Sequence, residues 1–289
     1  MTKFLKTSID SLCISVDDQS RVVKSAKLSH CVDYVVLTDD LHTVRVCRLS
    51  TGESWYVPVQ GRACSIALNS GNEFAVLSDQ GFVQRFDLTL PTICLGKVSA
   101  PSSCSISYDH TGTMLVMALT NGMVKIYDLE IRPTPRLVAI LKVSSGSIPL
   151  LGARQDTLLG VDRGGRLFSL RSPESGPQIL WNGAEHLDFD CYSMAIHPFL
   201  TRVVVGGFGS YVRYYSAFNV QPTNLLTSFN YIRDLVFLLD INQLAVVGDN
   251  GLEVWNLETN TVEFKWLSPS GRVIAVRPRG EDHLLVLWG

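Results

Sequence analysis

The chain has 289 residues, 46% of them apolar and 18% charged, with a formal net charge of −2. That balance suits a well-buried fold and lacks the strongly basic character that nucleic-acid binding needs, so direct contact with nucleic acid is disfavoured. The longest apolar runs, such as Leu137–Leu141 and His283–Trp288, fall far short of the ~20 residues of a membrane span.

No apolar stretch follows Lys3 and Lys6, so neither membrane insertion nor a secretory leader is expected. The seven cysteines are an odd number, scattered, and never spaced C-x-x-C. This fits a reducing intracellular compartment, cytoplasmic or nuclear, with thiols serving as small apolar fillers.

In chain order, Lys3–Ser8 and Ser11–Val16 read as two short strands. A unit of four strands, labelled a to d, then recurs. The a strands are Val22–Ser29, Ala63–Leu68, Cys104–Tyr108, Ile148–Ala153, Tyr192–His197, Arg233–Leu238 and Arg272–Arg277. The b strands are Tyr34–Thr38, Phe74–Ser78, Met114–Ala118, Thr157–Val161, Arg202–Gly206, Gln243–Val247 and His283–Leu287.

Each b strand is a continuous apolar run, as expected of a strand covered on both faces. Turn signals such as Asp79-Gln80-Gly81, Asn121-Gly122 and Asp249-Asn250-Gly251 follow. The Asn-Gly pair is the strongest short hairpin signal, because a two-residue turn needs positive φ at both central positions. Each c strand closes on a marker: Cys47, Phe86, Tyr127, Phe168, Tyr215 and Trp255, at gaps of 39, 41, 41, 47 and 40 residues. The longest gap contains the turn-rich 171–191 connection, and long connections are where function concentrates.

Repeats of ~40–45 residues built from short strands are the signature of propeller blades. The chain resembles the WD-repeat β-propeller family over nearly its whole length. Tyr127-Asp128 and Trp255-Asn256 stand where that family has Trp-Asp, although no Gly-His pair opens a repeat. The expected fold is all-β: one domain over 1–289, a seven-bladed propeller of four-stranded antiparallel blades. The N-terminal strands supply c and d of the last blade and close the ring, removing exposed sheet edges.

None of the standard catalytic constellations is recognisable in the sequence. Gly206-Gly207-Phe208-Gly209 is not a phosphate loop but a tight b–c turn, and Ser144–Ser147 is not a nucleophile elbow. The six histidines are spread over different repeats without ligand spacing, and His197 before Pro198 reads as structural. No catalytic residue, metal site or cofactor is expected.

The resemblance implies a non-catalytic protein-interaction scaffold, a subunit of a larger intracellular complex. The alternative is a propeller hydrolase or other small-molecule enzyme working at the channel mouth. The strand assignment gathers Arg62, Tyr192, Tyr231, Arg233 and Arg272 at the starts of a strands, with Phe208 from a b–c turn. Tyr and Arg are enriched at binding hot spots, and Arg grips carboxylate or phosphate with a forked pair of donors. The expected partner is another protein presenting an acidic or phosphorylated segment. The competing reading is that these residues only cap strands or neutralise Asp39, Asp79, Asp162 and Asp249.

Overall fold

The computed structural model describes residues 8–13, 23–29, 31, 33–109, 111–130, 135–154, 157–163, 167–170, 178–181, 191–197, 199, 202–216, 223–238, 242–268, 272–278 and 283–288. Every regular element among them is a β-strand.

Strand β1 (Ser8–Cys13) comes first. Six four-stranded sheets follow, each a meander in which a strand hydrogen-bonds the next in sequence. The first holds β2 (Val23–Leu28), β3 (Tyr34–Asp39), β4 (Val44–Arg48) and β5 (Ser54–Val57). The second holds β6 (Ala63–Leu68), β7 (Glu73–Ser78), β8 (Phe82–Asp87) and β9 (Cys94–Ser99). In the third are β10 (Ser103–Tyr108), β11 (Met114–Leu119), β12 (Met123–Asp128) and β13 (Arg136–Lys142). In the fourth are β14 (Leu150–Arg154), β15 (Thr157–Val161), β16 (Leu167–Leu170) and β17 (Gln178–Trp181). The fifth runs β18 (Cys191–Ile196), β19 (Arg202–Gly207), β20 (Tyr211–Ser216) and β21 (Thr223–Leu226). The sixth runs β22 (Asp234–Phe237), β23 (Gln243–Val247), β24 (Gly251–Asn256) and β25 (Thr261–Leu267). Finally β26 (Val273–Pro278) and β27 (His283–Trp288) make a three-stranded sheet with β1, in the order β1-β27-β26.

The chain divides into two compact units, residues 26–190 and residues 1–25 with 191–289. Within each, the sheets are arranged as propeller blades. First strands lie beside one another, β6, β10 and β14 in one unit and β18, β22 and β26 in the other. Core clusters fill the spaces between successive sheets. Phe74, Val76 and Phe86 pack with Val36 and Val46 of the preceding sheet, and Trp255 and Leu244 pack with Val204 and Tyr214.

All seven predicted b strands are found within one residue at each end, and each is the second strand of its meander or, for β27, the middle strand of its sheet. Their burial gives the reason: β3, β15 and β23 are buried at every position, and β7, β11 and β19 at all but the first. A strand apolar on both faces is stable only between two sheets.

The marker aromatics are explained as well. Phe86, Tyr127, Phe168, Tyr215 and Trp255 are all buried. Four of them sit at a register shift between third and fourth strands, at Arg85/Phe86, Ile126/Tyr127, Leu167/Phe168 and Val254/Trp255. The bulge bends the outer strand away while the ring fills the inter-sheet space.

A polar latch recurs two residues before two of these markers. Gln60 donates its backbone N–H to Gln84 Oε1 at 2.6 Å, and Lys97 Nζ donates to Gln60 Oε1. In the corresponding place Ser228 donates its N–H and Oγ–H to Glu253 Oε1 at 3.3 and 2.5 Å, and Lys265 Nζ donates to Ser228 Oγ at 2.6 Å. Trp255 Nε1 donates to Glu253 Oε2 at 3.1 Å, so this buried carboxylate has a donor on each oxygen. Each latch ties the connector leaving one sheet to the third strand of the next.

The blade count is corrected. Among the described residues there are six four-stranded blades, not seven, and the last sheet has three strands. The described part of the expected Lys3–Ser8 and Ser11–Val16 strands falls in the single strand β1, and it runs parallel to β27, from Ser8 opposite His283 to Cys13 opposite Trp288. Residues 3–7 and 14–16 of the two expected strands lie outside the described residues, as does most of the 171–191 connection. Spacing along the sequence counts strands but carries no direction. A parallel ladder is only slightly weaker per residue than an antiparallel one, so an extended segment can satisfy the β27 edge either way.

Removing residues 1–13 leaves that edge of β27 unpaired. The expected outcome is a lower Tm and self-association in light scattering, because an open apolar edge templates further pairing. A truncated chain that stays monomeric with an unchanged Tm rules this out.

Candidate docking surface

The site forms where β18, the β19–β20 turn and the connector into β22 meet. On β18 the pairs are Cys191 with Gly207 and Ser193 with Gly206, leaving Tyr192 as the extra residue of a bulge. Bulges re-aim a side chain, and Tyr192 is 46% exposed. The β19–β20 turn presents Phe208, 62% exposed.

The connector after β21 is pinned by two fully buried side chains, Phe229 and Ile232. Glycines make room for both. A Cβ on Gly248 would meet the Phe229 ring at 2.0 Å, and one on Gly206 would meet Ile232 Cγ2 at 2.7 Å. Backbone bonds complete the anchoring: Ile232 N donates to Gly207 O at 2.7 Å and Gly209 N donates to Asn230 O at 3.0 Å. Tyr231 is thereby held in an antiparallel bridge with Phe208.

The rings follow. Tyr192 and Tyr231 stack with centroids 4.9 Å apart and planes 22° apart, and Phe208 meets Tyr231 edge-on at 6.5 Å and 81°. The Arg233 guanidinium lies over the Tyr231 ring, 4.6 Å from its centroid. Offset stacking and cation–π contact both suit the ring quadrupole.

Arg233 is half-buried, its N–H donates to Val247 O at 2.9 Å, and its Nε is buried without a hydrogen-bond acceptor. Burial pushes its guanidinium pKa below the ordinary value, and Arg272 beside it pushes the same way; Tyr231 and Asp249 oppose. Two arginines and three aromatic rings therefore share one surface with a single opposing aspartate close to Arg233.

Five of the six residues singled out from the sequence, Tyr192, Phe208, Tyr231, Arg233 and Arg272, are brought together. Arg62 belongs to the 26–190 unit, where its N–H donates to Asp79 Oδ1 at 2.8 Å and its carbonyl accepts from Asp79 N at 2.9 Å. Three of the aspartates that the competing reading has these residues neutralise make local hydrogen bonds. Asp39 accepts from Leu41 and Thr43, Asp79 holds Arg62, and Asp162 accepts from Ser144 Oγ at 2.5 Å. Asp249 acts on Arg233. His197 is buried against Phe237 and accepts from Phe199 N at Nδ1, in keeping with its structural reading. Among the described residues no group of three or more His, Cys, Asp or Glu could hold a metal ion, and no helix is long and apolar enough to cross a membrane.

Sequence reasoning missed a cleft of about 510 Å³ in the 26–190 unit, lined by Asn72, Glu73, Arg85, Asp87, Thr113 and Glu130 among others. Arg85 donates to Glu73 Oε2 at 2.6 Å. Burial alone would lower the Arg85 guanidinium, but Glu73 and Tyr108 turn the net shift upward. Tyr108 is buried, its phenol is pushed well up by desolvation, and its OH has no hydrogen-bond partner of good geometry. The available signal was Arg85 itself, a charged residue inside a third strand between Gln84 and Phe86.

No family model matches the chain, and no curated protein matches it. The fold and this surface together define the class: an all-β protein of propeller blades with an exposed tyrosine–arginine cluster.

Two outcomes follow. The unfolded Tyr108 phenol ionises near pH ~10 while the folded one resists, so its stabilising contribution is full below that pH and is lost as pH rises toward the folded value. Urea midpoints should fall less between about pH 8 and pH 11 for Tyr108→Phe than for the unaltered chain, and equal losses rule this role out. For Arg272→Ala the expected Tm is unchanged or slightly raised, since the substitution relieves like-charge pressure on a desolvated Arg233. A clear drop would mean that Arg272 supports the fold.

Proposed function

We propose that this chain is a non-catalytic interaction scaffold of the WD-repeat kind, a subunit of a larger intracellular assembly. Its cluster around Tyr231 docks an acidic or phosphorylated segment of a partner protein. The observation that carries the reading is Arg233: a guanidinium half out of water, its Nε without an acceptor, set beside a second arginine and over an aromatic ring. In the isolated chain that arrangement is unfavourable, and a carboxylate or phosphate would satisfy it with forked donors. The exposed rings of Tyr192 and Phe208 supply rigid contact area for the rest of the segment. The propeller arrangement, a frame with loops to spare for binding, is consistent with a scaffold.

The test is Arg233→Ala and Arg272→Ala, singly and together, with partner retention from cell extract measured beside thermal stability. Losing a buried, charge-paired arginine costs ~2–5 kcal/mol of binding, whereas a solvated rim arginine costs ~0–1 kcal/mol. The expected result is a folded double variant that no longer retains its partners. A double variant that folds and keeps them all removes this surface from consideration, and turnover or stoichiometric metal in the purified protein overturns the non-catalytic reading.

A further inference from the structure

β13 differs from the other outer strands in what it leaves uncovered. It reads Arg136-Leu137-Val138-Ala139-Ile140-Leu141-Lys142, and Leu137, Val138 and Ile140 are 43, 42 and 47% exposed. Natural edge strands are guarded against an added strand by brevity, interior charge or bulges. β5, β17 and β21 have only four residues each. β9 has Gly96 and Lys97 in its interior, and β25, as long as β13, has Glu263 and Lys265. β13 has no interior charge.

Its one guard is a bulge at Val138, where Ile126 faces Ala139 and Tyr127 faces Leu137. Beyond it, Ala139–Lys142 runs in regular register against Met123–Ile126, and among the described residues no strand pairs with its other side.

The charges around this edge are mainly basic. Arg136 is 64% exposed at its side chain and 3.6 Å from Asp128, Lys142 donates to the Asn121 carbonyl, and Lys125 faces Ile140 across the ladder. Three cations thus stand against one carboxylate. Self-pairing is disfavoured in either direction. Two antiparallel copies of β13 would set Arg136 against Lys142 at both ends, and two parallel copies would set each against itself; like charges directly opposite are destabilising.

We infer that β13 receives an extended segment of a partner protein, apolar in its middle and acidic at both ends, as a fifth strand of its sheet. Main-chain hydrogen bonds along Ala139–Lys142 hold it, and the exposed Val138 and Ile140 select its apolar side chains. The inference does not rest on the tyrosine–arginine cluster, which lies in the other unit.

The probe is a short synthetic peptide of alternating valine and threonine with glutamate at each end, compared with the same peptide ended by lysine. Both are titrated into the isotope-labelled full chain while the backbone amide signals of residues 136–142 are followed. The expected result is perturbation and exchange protection of residues 139–142 by the glutamate peptide, with affinity about five- to tenfold above that of the lysine peptide. Arg136→Glu with Lys142→Glu should reverse the preference, and Ile140→Pro should abolish binding by removing an edge donor. Equal binding of the two peptides, or no effect of either on these amides, overturns the inference. So does perturbation of the same amides by raising the chain's own concentration, which would make the occupant a second copy. The peptide comparison on the unaltered chain decides the question even where a variant fails to fold.

Discussion

The rest of the structure depends on one constraint: the second strand of each sheet has no polar face. From Val35 and Val36 in β3 to Leu284–Leu287 in β27, these runs are buried on both sides. Burying a Val, Leu or Ile side chain contributes roughly 1.5–3 kcal/mol, and that contribution is collected in full only when a sheet lies on each side. Within each unit successive sheets therefore stack face to face, which sets their first strands side by side and turns their fourth strands outward. Direct polar ties between neighbouring sheets are local and include the Gln84 and Glu253 latches, the His42 contacts with Ala63, Ser105 Oγ to the Ile148 carbonyl, Arg202 to Asn242, and Arg277 to Asp234. They fix how neighbouring sheets meet, while apolar burial supplies the bulk of the stabilisation.

This constraint also decides what was legible in the sequence. A strand covered on both faces appears as an unbroken apolar run, so all seven second strands could be read nearly to the residue. The aromatic markers were legible as a period but not as a mechanism, because a bulge depends on the facing strand. The direction of β1 was not legible at all, since Ser8–Cys13 can pair with the β27 edge in either sense. Nor was the Arg85 cleft. Its partner Glu73 lies on β7 and Tyr108 on the next sheet, and no local pattern joins the three.

In the candidate docking surface the same division holds. Tyr192, Arg233 and Arg272 all fall within two residues of the start of a first strand, Arg233 and Arg272 immediately before it, so the repeat alone sets them at the same end of their sheets. What the repeat does not contain is the fit of Phe229 beside Gly248 and of Ile232 beside Gly206, which brings Tyr231 under Arg233 and against Phe208. Arg62 occupies the corresponding place in its own repeat, yet its backbone is committed to Asp79. Equivalent positions in a repeat share geometry; they share function only where the neighbours also match.

The bulges of the first strands carry that point furthest. In four sheets the strand has one extra residue near its start, and the occupants are Cys64, Cys104, Tyr192 and Ile274. Cys64 and Tyr192 are exposed, Cys104 is half-buried and Ile274 is buried. The ladder resumes in register on both sides of each, and the side chain packs inward in Cys104 and Ile274 but faces solvent in Cys64 and Tyr192. Where it faces solvent, a binding residue can stand without displacing the core. Of the four, Tyr192 has a second ring stacked on it and an arginine beyond, and those specific neighbours separate a candidate docking residue from a loop filler.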